Sequence, residues 1–214
     1  MPTNSAPTRS PRSGNTRLLI LTAAERLFAV HGIAAVSNRQ ICEAAGQANN
    51  SVIAYHFGTR DDLIRAIVAH HQSDIERRRD AMPPSTTPYD GVVRLVRPIL
   101  DHYAALGRPS WYARFAAQVT TDPALRHLVI DEVMAQPSMR RALADLGRYT
   151  ADLPPHALRQ RADMSRLLIV HMCAEFEQSL ADGTADTTWD QTAEVLVDAL
   201  LDIMSHGVRD RSGS

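Results

Sequence analysis

Apolar residues recur through most of the chain at three- and four-residue intervals, and no stretch alternates apolar with polar over the length of a strand. Residues 16–31 set Leu19, Ile20, Ala23, Leu27, Phe28 and Val30 on one side, with Glu25 and Arg26 away from it, and Gly32 stops the pattern. From residue 59 to about 81 a long helix is expected, with Leu63, Ile64, Ile67 and Val68 on its apolar face and the solvated run ERRRD near its end. Three prolines between 82 and 88 then break helical structure. Residues 89–106 resume with Val92, Val96, Ile99, Leu100 and Tyr103; Pro98 is placed to kink or split this helix, and Gly107 ends it. Shorter helices are expected over 109–121, from 122 to the interruption at Pro137, and over 138–150, before a second break at Leu153-Pro154-Pro155. Residues 156–181 form a long helix whose middle is apolar almost all round, which predicts burial on more than one side. The last helix, 188–206, carries Val195, Leu196, Ala199, Leu200 and Ile203 on one face. The pattern predicts an all-α fold of about nine helices, with a small N-terminal head and a larger helical body.

The stretch SNRQICEAAGQANNSVIAYHFGTRDD, residues 37–62, is the most informative. Ser37 and Gln40 make an S-x-x-Q capping box, and Ile41, Ala44 and Ala45 give a short apolar stripe. Gly46 suits the left-handed position just past a helix end. Asn49 or Asn50 can cap a second short helix carrying Val52, Ile53 and Tyr55, which Gly58 ends; Thr59, Asp61 and Asp62 open the next. Two short helices around a glycine turn are the helix-turn-helix unit. Residues 49–56 are then a DNA recognition helix, with its N-terminal side chains toward base edges. Asn49, Asn50 and Ser51 are the candidates for base contacts, and Val52 or Ala54 for a thymine methyl. Tyr55, His56, Thr59 and Arg60 suit phosphate, as do Ser37, Asn38 and Arg39 at the start of the preceding helix.

Charge sharpens that reading. The 214 residues include no lysine and are nearly neutral overall. Up to residue 60, however, six arginines face two glutamates, a balance of +4, whereas the remainder holds 17 arginines against 22 acids, a balance of −5. A basic first third on an acidic body is the asymmetry of a DNA-reading head. Residues 1–15, rich in Pro, Ser, Thr and Arg, are expected to be a disordered basic arm, and 207–214 a disordered tail. Cys42 and Cys173 are read as buried free thiols, and neither they nor His70, His71 and His102 have a zinc-ligand spacing, so no metal or cofactor is expected. No apolar run is long enough for a membrane span and the start lacks a signal core, so a cytoplasmic protein is the default expectation.

With AAERLFAVHG (23–32), SNRQICEAAG (37–46) and YHFGTRDDLIRAI (55–67), residues 16–69 resemble the DNA-binding domain of the tetracycline-repressor (TetR) family of transcriptional regulators. The resemblance implies that the third helix reads the major groove and that Tyr55, His56 and Arg60 hold phosphates. It also implies a homodimer on a palindromic double-stranded operator, usually a repressor, with helices 156–181 and 188–206 of each subunit forming a four-helix interface. Counted back from Phe57, the turn after Gly46 is one residue longer than usual for that family, which leaves open the register of Asn49, Asn50 and Ser51. Ala54 also stands where an aromatic is frequent.

The resemblance further implies a small-molecule effector bound between the middle helices of a domain spanning 88–206. Candidate lining residues are Tyr103, Trp111, Tyr112, Phe115, Met134, Met139, Met164, Met172 and Phe176, with Gln118, His171 and Glu175 as polar groups to orient a ligand. A regulator without small-molecule input, controlled by a protein partner or by abundance, is the alternative. An enzyme with an appended reading head has no support, because the chain holds no nucleophile-elbow, phosphate-loop, dinucleotide or metal motif.

Overall fold

The structure, a computed structural model, describes residues 11–49 and 51–205. These residues form ten helices and no strand. They are α1 (Pro11–His31), α2 (Asn38–Ala44), α3 (Ser51–Phe57), α4 (Arg60–Asp80), α5 (Pro88–Leu106), α6 (Tyr112–Thr121), α7 (Arg126–Ala135), α8 (Pro137–Gly147), α9 (Pro155–Asp182) and α10 (Trp189–Ser205). Each segment picked out by the apolar spacing forms a helix, which makes ten against the expected total of about nine. α1 starts at Pro11, inside the stretch expected to be a disordered arm. Residues 1–10 of that arm, the tail from 206 and the candidate base-contact residue Asn50 lie outside the described residues.

α1 to α4 make the head. Ile20, Ala24 and Phe28 of α1, Ile41 and Cys42 of α2, Ile53 of α3 and Leu63, Ile64 and Ile67 of α4 pack into one buried cluster. α4 then runs on into the body, where it packs against α5, α7 and α8. α5 lies at the centre of the body between α4, α8 and α10, and α6 packs against α1, α7 and α9. The head and body are therefore joined twice, through α4 and through the α1–α6 contact. Among the described residues no helix is long and apolar enough to cross a membrane.

α5 is continuous through Pro98 and is not split there. A proline in mid-helix has no N–H for the carbonyl four residues earlier, here that of Arg94. Arg79 supplies the missing donor: its Nε–H donates to Arg94 O at 2.9 Å. Arg79 is wholly buried at the end of α4, and burial lowers its proton affinity to about 10, a value that still leaves it charged at neutral pH. The run ERRRD is therefore not uniformly solvated. Its third arginine is a core residue that braces the prolyl turn. Glu177 of α9 plays a similar part for α6, whose N-cap Trp111 provides no side-chain bond. The buried carboxylate accepts the backbone N–H groups of Ala113 (3.3 Å) and Arg114 (3.0 Å) and pairs with Arg114 Nε at 3.2 Å.

Candidate nucleic-acid interface

The turn between α2 and α3 is built from hydrogen bonds. The Ser37–Gln40 capping box is formed in both directions. At the other end of α2 the chain turns through Gly46 at φ +68°, with Gly46 N–H donating to Glu43 O (3.1 Å) and Gln47 N–H to Cys42 O (2.8 Å). Those two bonds close a Schellman turn, and the left-handed φ costs glycine little. Asn49 Oδ1 then accepts the N–H of Ser51 at 2.9 Å, which launches α3. Gly58, at φ +84°, ends α3, and Thr59 caps α4 in a second capping box with Asp62.

α3 has seven residues, about 10 Å of helix. Ile53 is buried and Phe57 packs on the head core, which turns the opposite face outward. Ser51, Ala54 and Tyr55 share that face at i, i+3 and i+4 spacing, and all three are exposed, Tyr55 by 81%. A large aromatic so open to solvent, on a helix otherwise locked in place, is available to a partner rather than to the core. His56 is half-buried, edge-on to Tyr55 with ring centroids 5.0 Å apart. Asn38, Arg39 and Asn49 are exposed on the neighbouring surface, and Arg39 pairs with Glu43 at 2.7 Å.

Five residues expected at the DNA take structural roles in the head. Arg60 is turned inward: its guanidinium donates to the carbonyls of Ile33 and Val36 (2.7 Å for the latter) and lies 4.8 Å from the centroid of the Phe28 ring. It also reaches Asn38 Oδ1 at 3.4 Å. Arg60 bolts the α1–α2 loop to α4, and burial lowers its proton affinity, with Asp61 acting against that. The Ser37 and Thr59 hydroxyls are committed to caps, and Asn49 spends its side-chain oxygen on the turn. Val52, a candidate for a thymine methyl, packs against the head core instead, leaving Ala54 as the exposed methyl. The capping roles of Ser37, Asn49 and Thr59 are legible locally in sequence, whereas that of Arg60 is not. The two carbonyls that Arg60 holds are 24 and 27 residues away.

The expected effector residues are not brought to one cavity. Tyr103, Tyr112 and Phe115 are buried in an aromatic stack that also holds Phe28 and His71, and Phe176 meets Trp189 edge-on at 4.6 Å. Met139 is buried on α8, whereas Met134, Met164 and Met172 are exposed. Trp111 borders a small cleft of about 180 Å³ beside Glu25 and His71. Only the three polar candidates meet: Gln118, His171 and Glu175 line an open cleft of about 370 Å³ between α1, α6 and α9, together with Arg114 and Gln178. Tyr103, Tyr112 and Phe115 are core, a distinction from a lined pocket that periodicity cannot make.

Residues 20–67 match the family model described as bacterial regulatory proteins, tetR family. The HTH-type transcriptional repressor AcnR of Corynebacterium efficiens is 29% identical over 150 residues, which span 67% of this chain and 74% of that protein. A crystal structure of a tetR-family transcription regulator from Shewanella sp. PV-4 superposes with a TM-score of 0.64 at 15% identity, covering 90% of this chain and 99% of that one. The multidrug binding protein EbrR complexed with malachite green superposes with a TM-score of 0.52 at 21% identity, covering 88% and 97%. At these identities the two structures speak for the fold.

Proposed function

Since the chain belongs to the TetR family of bacterial DNA-binding transcriptional regulators, which are not enzymes, we propose that it is a homodimeric repressor that binds a palindromic double-stranded operator in the cytoplasm and leaves it when a small molecule binds. The observation that carries the reading is the outward face of α3. Ser51, Ala54 and Tyr55 stand clear of the head, on a helix fixed by the Gly46 turn, the Asn49 bond and the Ile53 anchor. A hydroxyl, a methyl and a phenol on one face match base edge, thymine methyl and phosphate in turn. Arg39 supplies the neighbouring cation, with Asn38 and His56 at the rim of the same surface. Repression follows the name of the relative AcnR.

The dimer reading rests on α9. Met164, Leu167, Leu168 and Met172 fall within an arc of about 140°. Met164, Leu167 and Met172 are 53%, 45% and 40% exposed in the single chain. An apolar strip of that kind needs a partner. Val195 of α10, 61% exposed, adds to the same interface. Two such chains place two reading heads at the fixed separation that two half-sites require.

For the effector, the cleft of Gln118, His171 and Glu175 is the place where the candidate residues converge, and the fold holds a dye in EbrR. A second reading, a regulator controlled by a protein partner or by abundance, is favoured by the packed aromatic middle of the body. One experiment tests both. Operator DNA is selected from a random pool with the purified protein, and a compound library is then screened for release of the complex. Release that His171→Ala with Glu175→Ala abolishes supports the effector cleft; release that the double variant leaves intact places the effector elsewhere. A library without effect supports the second reading. Failure to enrich any sequence contradicts operator binding itself.

A further inference from the structure

Between head and body lies a buried chain of four side chains from three helices. Glu25 of α1 meets Nε2 of His71 on α4 at 2.8 Å, Nδ1 of His71 meets Nε2 of His102 on α5 at 2.8 Å, and Nδ1 of His102 meets Asp74 on α4 at 2.7 Å. The two imidazoles are buried, and His71 lies flat on Tyr112 of α6 with ring centroids 3.7 Å apart. None of this belongs to the DNA-facing surface or to the effector cleft.

The three contacts set a requirement on the number of protons in this chain. Each of its three contacts needs one proton between the two heavy atoms. Two neutral imidazoles supply two, and a carboxylate in its ordinary ionised form supplies none. If each imidazole points its N–H at a carboxylate, the middle contact sets lone pair against lone pair. If one turns its N–H to the middle, a lone pair faces a carboxylate instead. Two imidazolium ions would set N–H against N–H. Only three protons in all satisfy the three distances. We infer that His71 and His102 share one proton beyond their neutral forms, that it ties the reading head to the body across α1, α4 and α5, and that the pair gains and loses it as a unit.

The surroundings make this proton exchangeable. Asp74 accepts hydrogen bonds from Arg78 and Arg77 at 2.7 Å each. The Arg78 bond above all, with that of His102 beside it, holds its carboxyl down at about 2 against the effect of burial, so it stays ionised. Burial lowers the proton affinity of His102, and the Asp74 bond raises it in part. The groups facing the pair are Glu25 on α1, His70, Asp74 and Arg78 on α4, Tyr103 on α5 and Tyr112 on α6, with Arg17 of α1 acting on His70. The cleft of about 180 Å³ reaches Glu25, His70 and His71 and gives the proton a path to water. When pH rises and the proton leaves, the middle contact is lost and one imidazole turns away, loosening α1 and α4 from α5. The effect on operator affinity rests on the DNA-binding reading; the proton count does not.

The test is a titration of the full-length chain carrying ¹⁵N-labelled histidine, with ring nitrogens followed by NMR from pH 9 to pH 5. The expected result is uptake of one proton by the pair, with both rings shifting at a shared midpoint. Glu25→Gln keeps an acceptor for His71 but removes a charge, and should lower that midpoint by about 1–3 pH units. Asp74→Asn should lower it from the other end. Two protons taken up at independent midpoints, no uptake at all, or midpoints unmoved in both variants would overturn the shared proton. With a selected operator, wild-type affinity should change across the midpoint and the change should move with it in Glu25→Gln. If no operator binds while the count holds, the DNA reading fails and the shared proton stands.

Discussion

Arg60 and Tyr55 look alike in sequence, two candidates for phosphate at one end of a recognition helix, yet the fold turns Arg60 inward and leaves Tyr55 open to solvent. Arg60 serves the head: with its donors gone, the carbonyls of Ile33 and Val36 and the Phe28 face lose their partner. Arg60→Ala should therefore cost about 1–2 kcal/mol of stability, read as a lower urea midpoint. An unchanged midpoint with lost operator affinity would return it to the phosphates. Tyr55 stands open to solvent. Tyr55→Ala should leave stability within about 0.5 kcal/mol and weaken operator binding by about 1 kcal/mol, without changing the preferred sequence. Arg39→Ala should flatten the salt dependence of binding by about 1.8 in slope, as one phosphate contact is lost in each subunit of the dimer; an identical slope would place Arg39 off the DNA. What sequence conveyed here was the kind of side chain available. Which of them the head keeps for itself depends on carbonyls brought in from far along the chain.

At the scale of elements, helix ends were legible and the interior of α5 was not. Ser37 with Gln40, Thr59 with Asp62, and Gly46 and Gly58 all sit where their local chemistry places them. The continuity of α5 depends on Arg79, nineteen positions before Pro98 and on another helix, so no local rule could reveal it. The pairing predicts a non-additive cycle. Arg79→Ala alone leaves the Arg94 carbonyl without a donor, whereas Pro98→Ala restores the helical N–H. The double variant should recover about 1 kcal/mol relative to the sum of the singles, measured by denaturation; simple additivity would remove the link. The cap of α5 gives a pH test. Asp90 bonds the Thr86 hydroxyl first, then the backbone of Thr86 and the hydroxyl of Thr87, and is held at about 2, below the ordinary 3.8. A depressed carboxyl stabilises above its unfolded value and loses that contribution as pH falls through its folded one. Asp90→Asn should lower the melting temperature at pH 5, with the difference shrinking between pH 4 and pH 2. A difference that persists undiminished at pH 2 would show that the cap does not depend on the charge.

For the whole molecule, the all-α class, the head and the long final helices followed from periodicity, because amphipathic spacing reports burial directly. The effector cavity did not follow, because the same spacing describes a packed core and a lined pocket. The long α9 was expected to be buried on more than one side, and in the single chain its Met164–Met172 strip is open. Leu167→Glu with Met164→Glu should give a folded monomer by sedimentation and reduce operator affinity more than tenfold, since two half-sites are no longer held together. A dimer that persists would move the interface elsewhere. The central claim is that the outward face of α3 reads DNA. Its most direct test is selection of bound sequences from a random duplex pool by the wild type, Ser51→Ala and Tyr55→Ala. The account predicts a palindromic motif for the wild type, the same motif bound more weakly by Tyr55→Ala, and relaxed preference at one symmetric pair of positions for Ser51→Ala. Three identical motifs bound with identical affinity would contradict it.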